Sequence, residues 1–479
     1  MTAQSPSPLW TDLEVVAATA GAASGALGWC ATGVSIDSRT VQAGDLFVAI
    51  AGPQHDGHRF VAEALQRGAV AAMVARGYAA PSADASLVRV DDPLAGLRQL
   101  GVAARARMRG TVVAVTGSVG KTGTKEALRA ALARQKPTHA SRASFNNHWG
   151  VPLSLARMPR ESGYGVFEIG MNHAGEIGPL SRLVRPHAAV VTTVEPVHLE
   201  FFDSVTGIAD AKAEIFEGLE PNGTAILNRD NPYFDRLAAA ALKSGAGHIV
   251  GFGEAEAAEV RLIKAAMTEQ CTCISADICG QPMTYKVGAP GRHWALNSLA
   301  VLAAVNAIGA DLGLAGLALA ALSPPEGRGA RTEIVLRDGT FLIIDESYNA
   351  NPASMRAAIE LLGGSPVAQA GRRVAVLGDM LEMGAESPAF HAALAPLVEA
   401  ARIDRVYCCG LNMKALADAL PTATLGGWAE DSERLSPAVL AAVQPGDVFM
   451  VKGSLGSRMA PIVQSLKALD RTPRRANGG

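Results

Sequence analysis

The sequence predicts a three-domain α/β protein with a phosphate-binding loop at the head of its middle domain. Three observations carry that prediction. A chain of 479 residues is too long for a single core and calls for two to four domains. The stretch Thr111-Val-Val-Ala-Val-Thr-Gly-Ser-Val-Gly-Lys-Thr122 reads as buried strand, glycine turn and helix start. On either side of it, apolar β-branched runs alternate with helical stripes, as in open α/β sheets. The expected domains are a small N-terminal α/β unit (1–108), a central mononucleotide-binding unit (109–322) and a C-terminal Rossmann-like unit (323–479).

Composition removes several function classes. The chain is 49% hydrophobic and 18% charged, ordinary for a globular protein, with a net charge of −2. No global basic field points to nucleic acid or an anionic membrane. The Ala-rich stretch Val15–Leu27 has no basic region before it, so a signal peptide is not expected, and no run resembles a membrane span. Among six cysteines no C-x-x-C pair occurs. Cys271, Cys273 and Cys279 share one strand face by parity, but a zinc site there is the weaker reading. Reduced thiols in a cytoplasmic protein are the stronger one.

In the N-terminal unit, Gly44-Asp-Leu-Phe-Val-Ala-Ile50 and Ala69–Val74 read as strands. Phe60, Ala64 and Leu65 have helical spacing, ending near Gly68. Ser38, Arg39, Asp56 and His58 are polar candidates for ligand contact, although from chemistry alone a capped turn and a solvated loop are the favoured reading. A helix from Leu94 to Met108 has an Arg-rich end and is expected to act as a linker.

In the central unit, Gly117, Ser118, Val119 and Gly120 precede a helix expected over Thr124–Leu132. That geometry aims backbone N–H groups and a helix N-terminus at an anion. Lys121 can reach outer phosphates and Thr122 can ligate Mg²⁺. The general phosphate loop has Gly five residues before Gly120, where this chain has Val115. Ser144-Phe-Asn-Asn-His-Trp-Gly-Val-Pro152 reads equally well as a polar loop facing a cleft and as a helix-capping loop. Glu168 ends the apolar run Tyr164–Gly170; a carboxylate there is costly unless paired or metal-bound, which makes it a Mg²⁺ candidate. His198 falls past the strand Ala188–Val194, and Lys212 lies among small residues of a helix expected over Ile208–Leu219. Residues 258–287 alternate like antiparallel strands, and a long helix runs from Gly291 to Ile308.

Five motifs in order carry a resemblance: Thr116-Gly-Ser-Val-Gly-Lys-Thr122, Phe167-Glu-Ile-Gly-Met-Asn172, His198-Leu-Glu200, Lys212-Ala-Glu-Ile-Phe216 and Gly291-Arg-His…Asn297. The chain resembles the Mur ligases, ATP-dependent amide ligases of peptidoglycan precursor synthesis. In that family a short phosphate loop is normal. The resemblance implies that Lys121 and Thr122 hold phosphates and Mg²⁺ and that Glu168 and His198 serve two metal ions. It further implies that Lys212 is carbamylated by CO₂ and that Asn297 lies near the adenine of ATP. Trp294 stands where many members have Asn.

In the C-terminal unit, a strand runs into Asp345-Glu-Ser-Tyr-Asn-Ala-Asn-Pro352, where Asn351 can cap and Pro352 can start a helix. Further strands are expected at Arg373–Leu377, Arg405–Cys409 and Asp447–Val451. With Leu377-Gly-Asp-Met-Leu-Glu-Met-Gly384 and Lys452-Gly-Ser454, these residues are similar to the family member that adds D-alanyl-D-alanine to a UDP-N-acetylmuramoyl-tripeptide. That member usually has Asp where Glu346 stands. By this resemblance Arg328 and Asp345 join the ATP site. Ser38, Arg39, Asp56, Gly57, Asn146 and Asn147 bind the UDP substrate, and Tyr348, Asn349, Asn351 and Lys452 face the amine. The expected protein is a cytoplasmic monomer acting on small molecules. The competing readings are another Mur ligase or a folylpolyglutamate-type ligase, a P-loop switch or motor ATPase, and a non-catalytic nucleotide-binding module.

Overall fold

The computed structural model describes residues 8–52, 55–142, 145–197, 199–368 and 370–472. Three large sheets follow one another along the chain. The first has five strands in the order Ala22–Ser24, Leu87–Val90, Ala71–Ala75, Asp45–Val48, Gly33–Ser35, parallel except at Ala22–Ser24. The Ala-rich N-terminal stretch is divided. Thr11 and Glu14 form a reciprocal capping box that starts the helix Asp12–Thr19, and Ala20 ends it in a left-handed conformation.

Helix Pro93–Arg107 begins at the Asp92 cap. Its basic end is a buried interface, which corrects the linker expectation. Arg105 is 5% exposed and donates from Nε to the Val184 carbonyl and from Nη2 to the Arg185 carbonyl, both at 2.8 Å. These are end carbonyls of helix Ile177–Val184, which have no partner inside their own helix. An arginine run shows charge in the sequence but not the carbonyls it will reach.

The central sheet has nine strands. Its parallel part runs Thr138–Ala140, Tyr164–Glu168, Thr111–Thr116, Ala188–Val191, Thr224–Asn228, His248–Gly253. Val260–Met267 continues it in parallel, and only then do Thr272–Ile278 and Gln281–Val287 turn antiparallel. Helices Lys121–Ala133 and Arg292–Ala307 cover one face and helices Ile177–Val184 and Val205–Ala213 the other, so the strands are buried on both sides. The helix after the phosphate loop starts at Lys121, three residues before the expected Thr124, because Gly120 (φ +86°) takes the cap position. The expected helix over Ile208–Leu219 tightens into a 3₁₀ turn at Glu214–Gly218. Cys279 lies past its strand, in a turn with φ +52°, so the three cysteines do not share a strand face. Among the described residues no group of His, Cys, Asp or Glu could hold a metal on such ligands alone.

The third sheet has six strands in the order Ala330–Val335, Thr340–Glu346, Val448–Lys452, Arg373–Gly378, Arg405–Cys409, Leu425–Ala429, parallel after the first pair. Asn351 and Ser354 form the capping box of helix Pro352–Gly363. The motif loop Asp379–Gly384 is pinned from below. Buried His391 accepts the Met380 N–H at Nε2 (2.9 Å) and donates from Nδ1 to the Ser387 carbonyl (2.6 Å). No helix among the described residues is long and apolar enough to cross a membrane.

His139, on the edge strand Thr138–Ala140, donates from Nε2 to the Ser154 carbonyl at 2.7 Å. Burial pushes its imidazole down to about 4. A depressed folded value gives stability that is fully present above the unfolded value of about 6.5 and is lost as pH falls through the folded one. Unfolding free energy should therefore fall between pH 6.5 and 4 by up to about 3 kcal/mol from this residue. His139→Gln, which keeps a donor and removes the titration, should flatten the denaturant-measured profile in that window; identical slopes would exclude His139 as the cause.

Candidate active site

The C-terminal ends of the central strands face the C-terminal ends of the third sheet across a cleft of about 730 Å³. Open α/β sheets place ligands at this edge because the loops there leave backbone donors and helix N-termini unpaired. The phosphate loop forms one wall. Gly117 has φ +144°, and a Cβ there would lie 1.9 Å from Thr192 Oγ1, so only glycine fits. Gly120 lies against the Asn297 carboxamide, which places Asn297 beside the phosphate loop. Trp294, where many family members have Asn, packs on Gly123 in the first turn of the helix and lines the same cleft.

The loop is held from below. Ser118 donates its N–H to the Thr193 carbonyl at 2.9 Å. Its hydroxyl donates to the Glu195 carbonyl (3.0 Å) and accepts the Glu195 N–H (2.9 Å). Ser118 thereby clasps the loop to the end of the neighbouring strand. Lys121 Nζ rests on the Gly117 carbonyl at 2.6 Å and the Ser118 carbonyl at 3.3 Å. Burial lowers its pKa, Glu168 opposes that shift, and Arg328 adds to it.

Glu168 is 1% exposed and both oxygens are engaged. Thr122 Oγ1 donates to Oε2 at 2.9 Å, and Asn146 Nδ2 donates to Oε1 at 2.8 Å. Strand register places Glu168 opposite Val115, one strand away from the phosphate loop. One carboxylate and one hydroxyl beside a phosphate site suit Mg²⁺, which typically takes one or two protein carboxylates and completes its shell with phosphates and water. Lys212 is 2% exposed and makes no ion pair with a described residue. Burial, with repulsion from Lys121, puts its pKa well below the ordinary lysine value. His198 lies outside the described residues, as does Ser144 of the polar loop.

The opposite wall comes from the C-terminal sheet. Lys452, 2% exposed, donates to the Asn349 carbonyl (2.9 Å) and to Glu346 Oε2 (3.3 Å). Arg328 lies over the Tyr348 ring, 4.2 Å from its centroid. Asn351 also lines the cleft, with its carboxamide oxygen accepting the Ser354 N–H. Asp345 does not line it. That carboxylate accepts from Ser347 N–H and hydroxyl and from Gly327 N–H, which pins the turn that presents Glu346 and Tyr348. Sequence reading passed over Thr192, which closes on the loop, and His293, which faces Glu346 and Lys452 from the start of helix Arg292–Ala307. The Thr-Thr pair after an apolar strand was the available signal.

The candidates for the UDP substrate divide. Asn146 and Asn147 line the cleft. Ser38, Arg39, Asp56 and Gly57 do not. Arg39 pairs with Asp37 at 2.7 Å, Ser38 is buried, and Asp56 caps the turn Gly57–Phe60 while accepting from His58 Nδ1 at 2.6 Å. Their loop approaches the central unit where Gly52 lies near the Trp149 ring.

Family comparisons agree in their order along the chain. The model for the Mur ligase family, catalytic domain, matches residues 31–139; the Mur ligase middle domain matches 115–305; and the Mur ligase, glutamate ligase domain, matches 330–455. The UDP-N-acetylmuramoyl-tripeptide–D-alanyl-D-alanine ligase of Escherichia coli is 35% identical over 91% of this chain and 93% of its own length. This chain belongs to the Mur ligase family. The same-named ligase of Bacillus subtilis is 33% identical over 91% of this chain and 93% of that protein. The crystal structure of MurF from Acinetobacter baumannii superposes with a TM-score of 0.83 at 30% identity, covering 96% of this chain and 99% of that one. MurF ligase from Thermotoga maritima, solved in complex with ADP, gives a TM-score of 0.76 at 27% identity over 91% and 97% of the two chains. A folylpolyglutamate synthase of Mycobacterium tuberculosis, at 17% identity and a TM-score of 0.59, shares the fold.

As a Mur ligase, the chain should depend on Asn146 to orient Glu168. Asn146→Ala should slow nucleotide turnover about 10–100-fold, the usual cost of losing a partner of a metal-ligating group, in a protein that still folds but melts at a lower temperature because one buried Glu168 oxygen loses its donor. Wild-type turnover in a folded variant would remove this contact from the site.

Proposed function

We propose that this chain is an ATP-dependent amide ligase that joins D-alanyl-D-alanine to UDP-N-acetylmuramoyl-tripeptide. The observation that carries the reading is whole-length similarity to ligases of that name, 35%, 33% and 31% identical over 91%, 91% and 90% of this chain. The cleft agrees with it in chemistry. ATP phosphates meet the first-turn N–H groups, Lys121 and Thr122, with Asn297 and Trp294 on the nucleotide wall. The N-terminal unit (1–108), with Ser38, Arg39, Asp56 and Gly57, holds the UDP end, and Asn146 and Asn147 guide the peptide into the cleft. The C-terminal unit (323–479) brings the amine past Tyr348, Asn349, Asn351 and Lys452.

The reaction has two steps. A carboxylate oxygen of the tripeptide attacks the γ-phosphorus, and ADP leaves with the bridging oxygen. The amine nitrogen of D-alanyl-D-alanine then attacks the acyl carbon and loses a proton, and inorganic phosphate departs with the oxygen that began on the carboxylate. Two anions must meet in the first step. Lys121, beside Arg328, supplies fixed positive charge at the phosphate loop. Thr122 and Glu168, with His198 by the family resemblance, would hold Mg²⁺, which would neutralise phosphate charge. Lys212 is suited to a carbamate: it is buried without a carboxylate partner among the described residues, and its lowered pKa favours the neutral amine. That neutral nitrogen adds to the carbon of CO₂ and loses a proton, so an anion forms near Lys121.

Two measurements test the reading. ADP formation should require both the UDP-muramoyl-tripeptide and D-alanyl-D-alanine, and mass should show the pentapeptide product. Formation driven by a single amino acid or by glutamate would contradict it, and hydrolysis without any amine would indicate a switch ATPase. Lys212→Ala should lose activity and regain part of it with added short carboxylates, whereas full activity in that variant would reject the carbamate.

A further inference from the structure

A second cavity, about 580 Å³, opens beside the active-site cleft. Asn147, His148, Gly170 and Glu176 line both spaces, so the two are continuous. One wall is apolar, made by Pro179, Leu180 and Leu183 around helix Ile177–Val184. Charge gathers at the rim. Arg182 is paired with Glu217 on its outer side. Arg98, from helix Pro93–Arg107 of the N-terminal unit, makes no hydrogen bond or ion pair with any described residue. Glu176 is fixed at the junction, where Oε2 accepts the Asn172 N–H at 2.7 Å.

The proposed reaction decides what enters this space. The carboxylate that attacks ATP is the α-carboxylate of the tripeptide's third residue, and it must reach Lys121 and Glu168. The side chain of that residue branches from the adjacent carbon, so it leaves the cleft within one residue's reach. The cavity adjoins there, sharing Asn147 and Gly170 with the cleft. An aliphatic stem would lie along Pro179, Leu180 and Leu183. At its end an ammonium has Glu176 as a partner, and a carboxylate has the unpaired Arg98 guanidinium, which offers bidentate geometry. A side chain ending in an ammonium alone leaves Arg98 unmatched and sets like charges together.

We infer that Arg98 is a specificity-determining residue that reads a carboxylate at the end of the third side chain, so that the enzyme selects a diamino diacid over the same residue without that carboxylate. The inference rests on the ligase reading above. The probes are UDP-muramoyl-tripeptides ending in 2,6-diaminopimelate and in lysine, which differ by that one group. Arg98 is exposed, so substitution leaves the fold intact.

Full-length wild type should favour the diaminopimelate substrate in kcat/KM by about tenfold or more, the scale of a hydrogen-bonded charge. Arg98→Ala should raise KM for that substrate by a similar factor, with kcat and the lysine substrate unchanged. Arg98→Glu should reverse the preference. No preference in wild type, the same preference in both variants, or equal losses on both substrates would overturn the role of Arg98. If neither tripeptide supports D-alanyl-D-alanine-dependent ADP formation, the ligase reading is overturned and this inference with it.

Discussion

Glu168 is a carboxylate buried at the end of a parallel strand, and the cost of keeping it there organises the middle of the molecule. A buried carboxylate is tolerated only where its oxygens are satisfied and positive charge is near. Thr122 and Asn146 supply the hydrogen bonds, and Lys121 supplies nearby charge. Thr122 comes from the helix after the phosphate loop and Asn146 from the loop after the edge strand. One side chain therefore ties three separate elements into a single cradle. The clasp between Ser118 and Glu195 adds the fourth, the end of strand Ala188–Val191.

The electrostatics around that cradle are lopsided. Lys121 lies near both Arg328 and Lys212; burial lowers both lysines, with Arg328 adding to the shift at Lys121 and Lys121 adding to it at Lys212. Such a site is unfavourable when empty of anions and favourable when triphosphate and carboxylate arrive. The reaction brings those two groups together. The second wall is rigid for a different reason. Asp345 spends its lone pairs on Ser347 in its own turn and on the Gly327 N–H, which leaves Glu346, Tyr348 and the Asn349 carbonyl presented toward Lys452 and the cleft.

Much of this was legible beforehand because it depends on local pattern. Thr111–Thr116 is a strand in sequence and in structure, and Asn351-Pro352 starts its helix as capping chemistry requires. Glu168 stood out because an acid in an apolar run needs a reason. What escaped was nonlocal. Arg105 looked like linker charge and instead satisfies the carbonyls of Val184 and Arg185 in another unit. Asp345 looked like a ligand contact and is consumed by Ser347 and Gly327. Asp56 and His58 satisfy each other, and Arg39 satisfies Asp37, so the polar residues of the first unit cannot be ranked by type alone. The packing of Thr192 on Gly117 pairs residues far apart in sequence, which no periodicity reports.

The central claim is that the cleft makes an acyl phosphate before it makes an amide. The most direct test follows an oxygen atom. The UDP-muramoyl-tripeptide is prepared with ¹⁸O in its terminal α-carboxylate and turned over with ATP and D-alanyl-D-alanine, and the released phosphate is analysed by mass. One labelled oxygen in each phosphate is the result the mechanism predicts. Unlabelled phosphate accompanying amide product would contradict it.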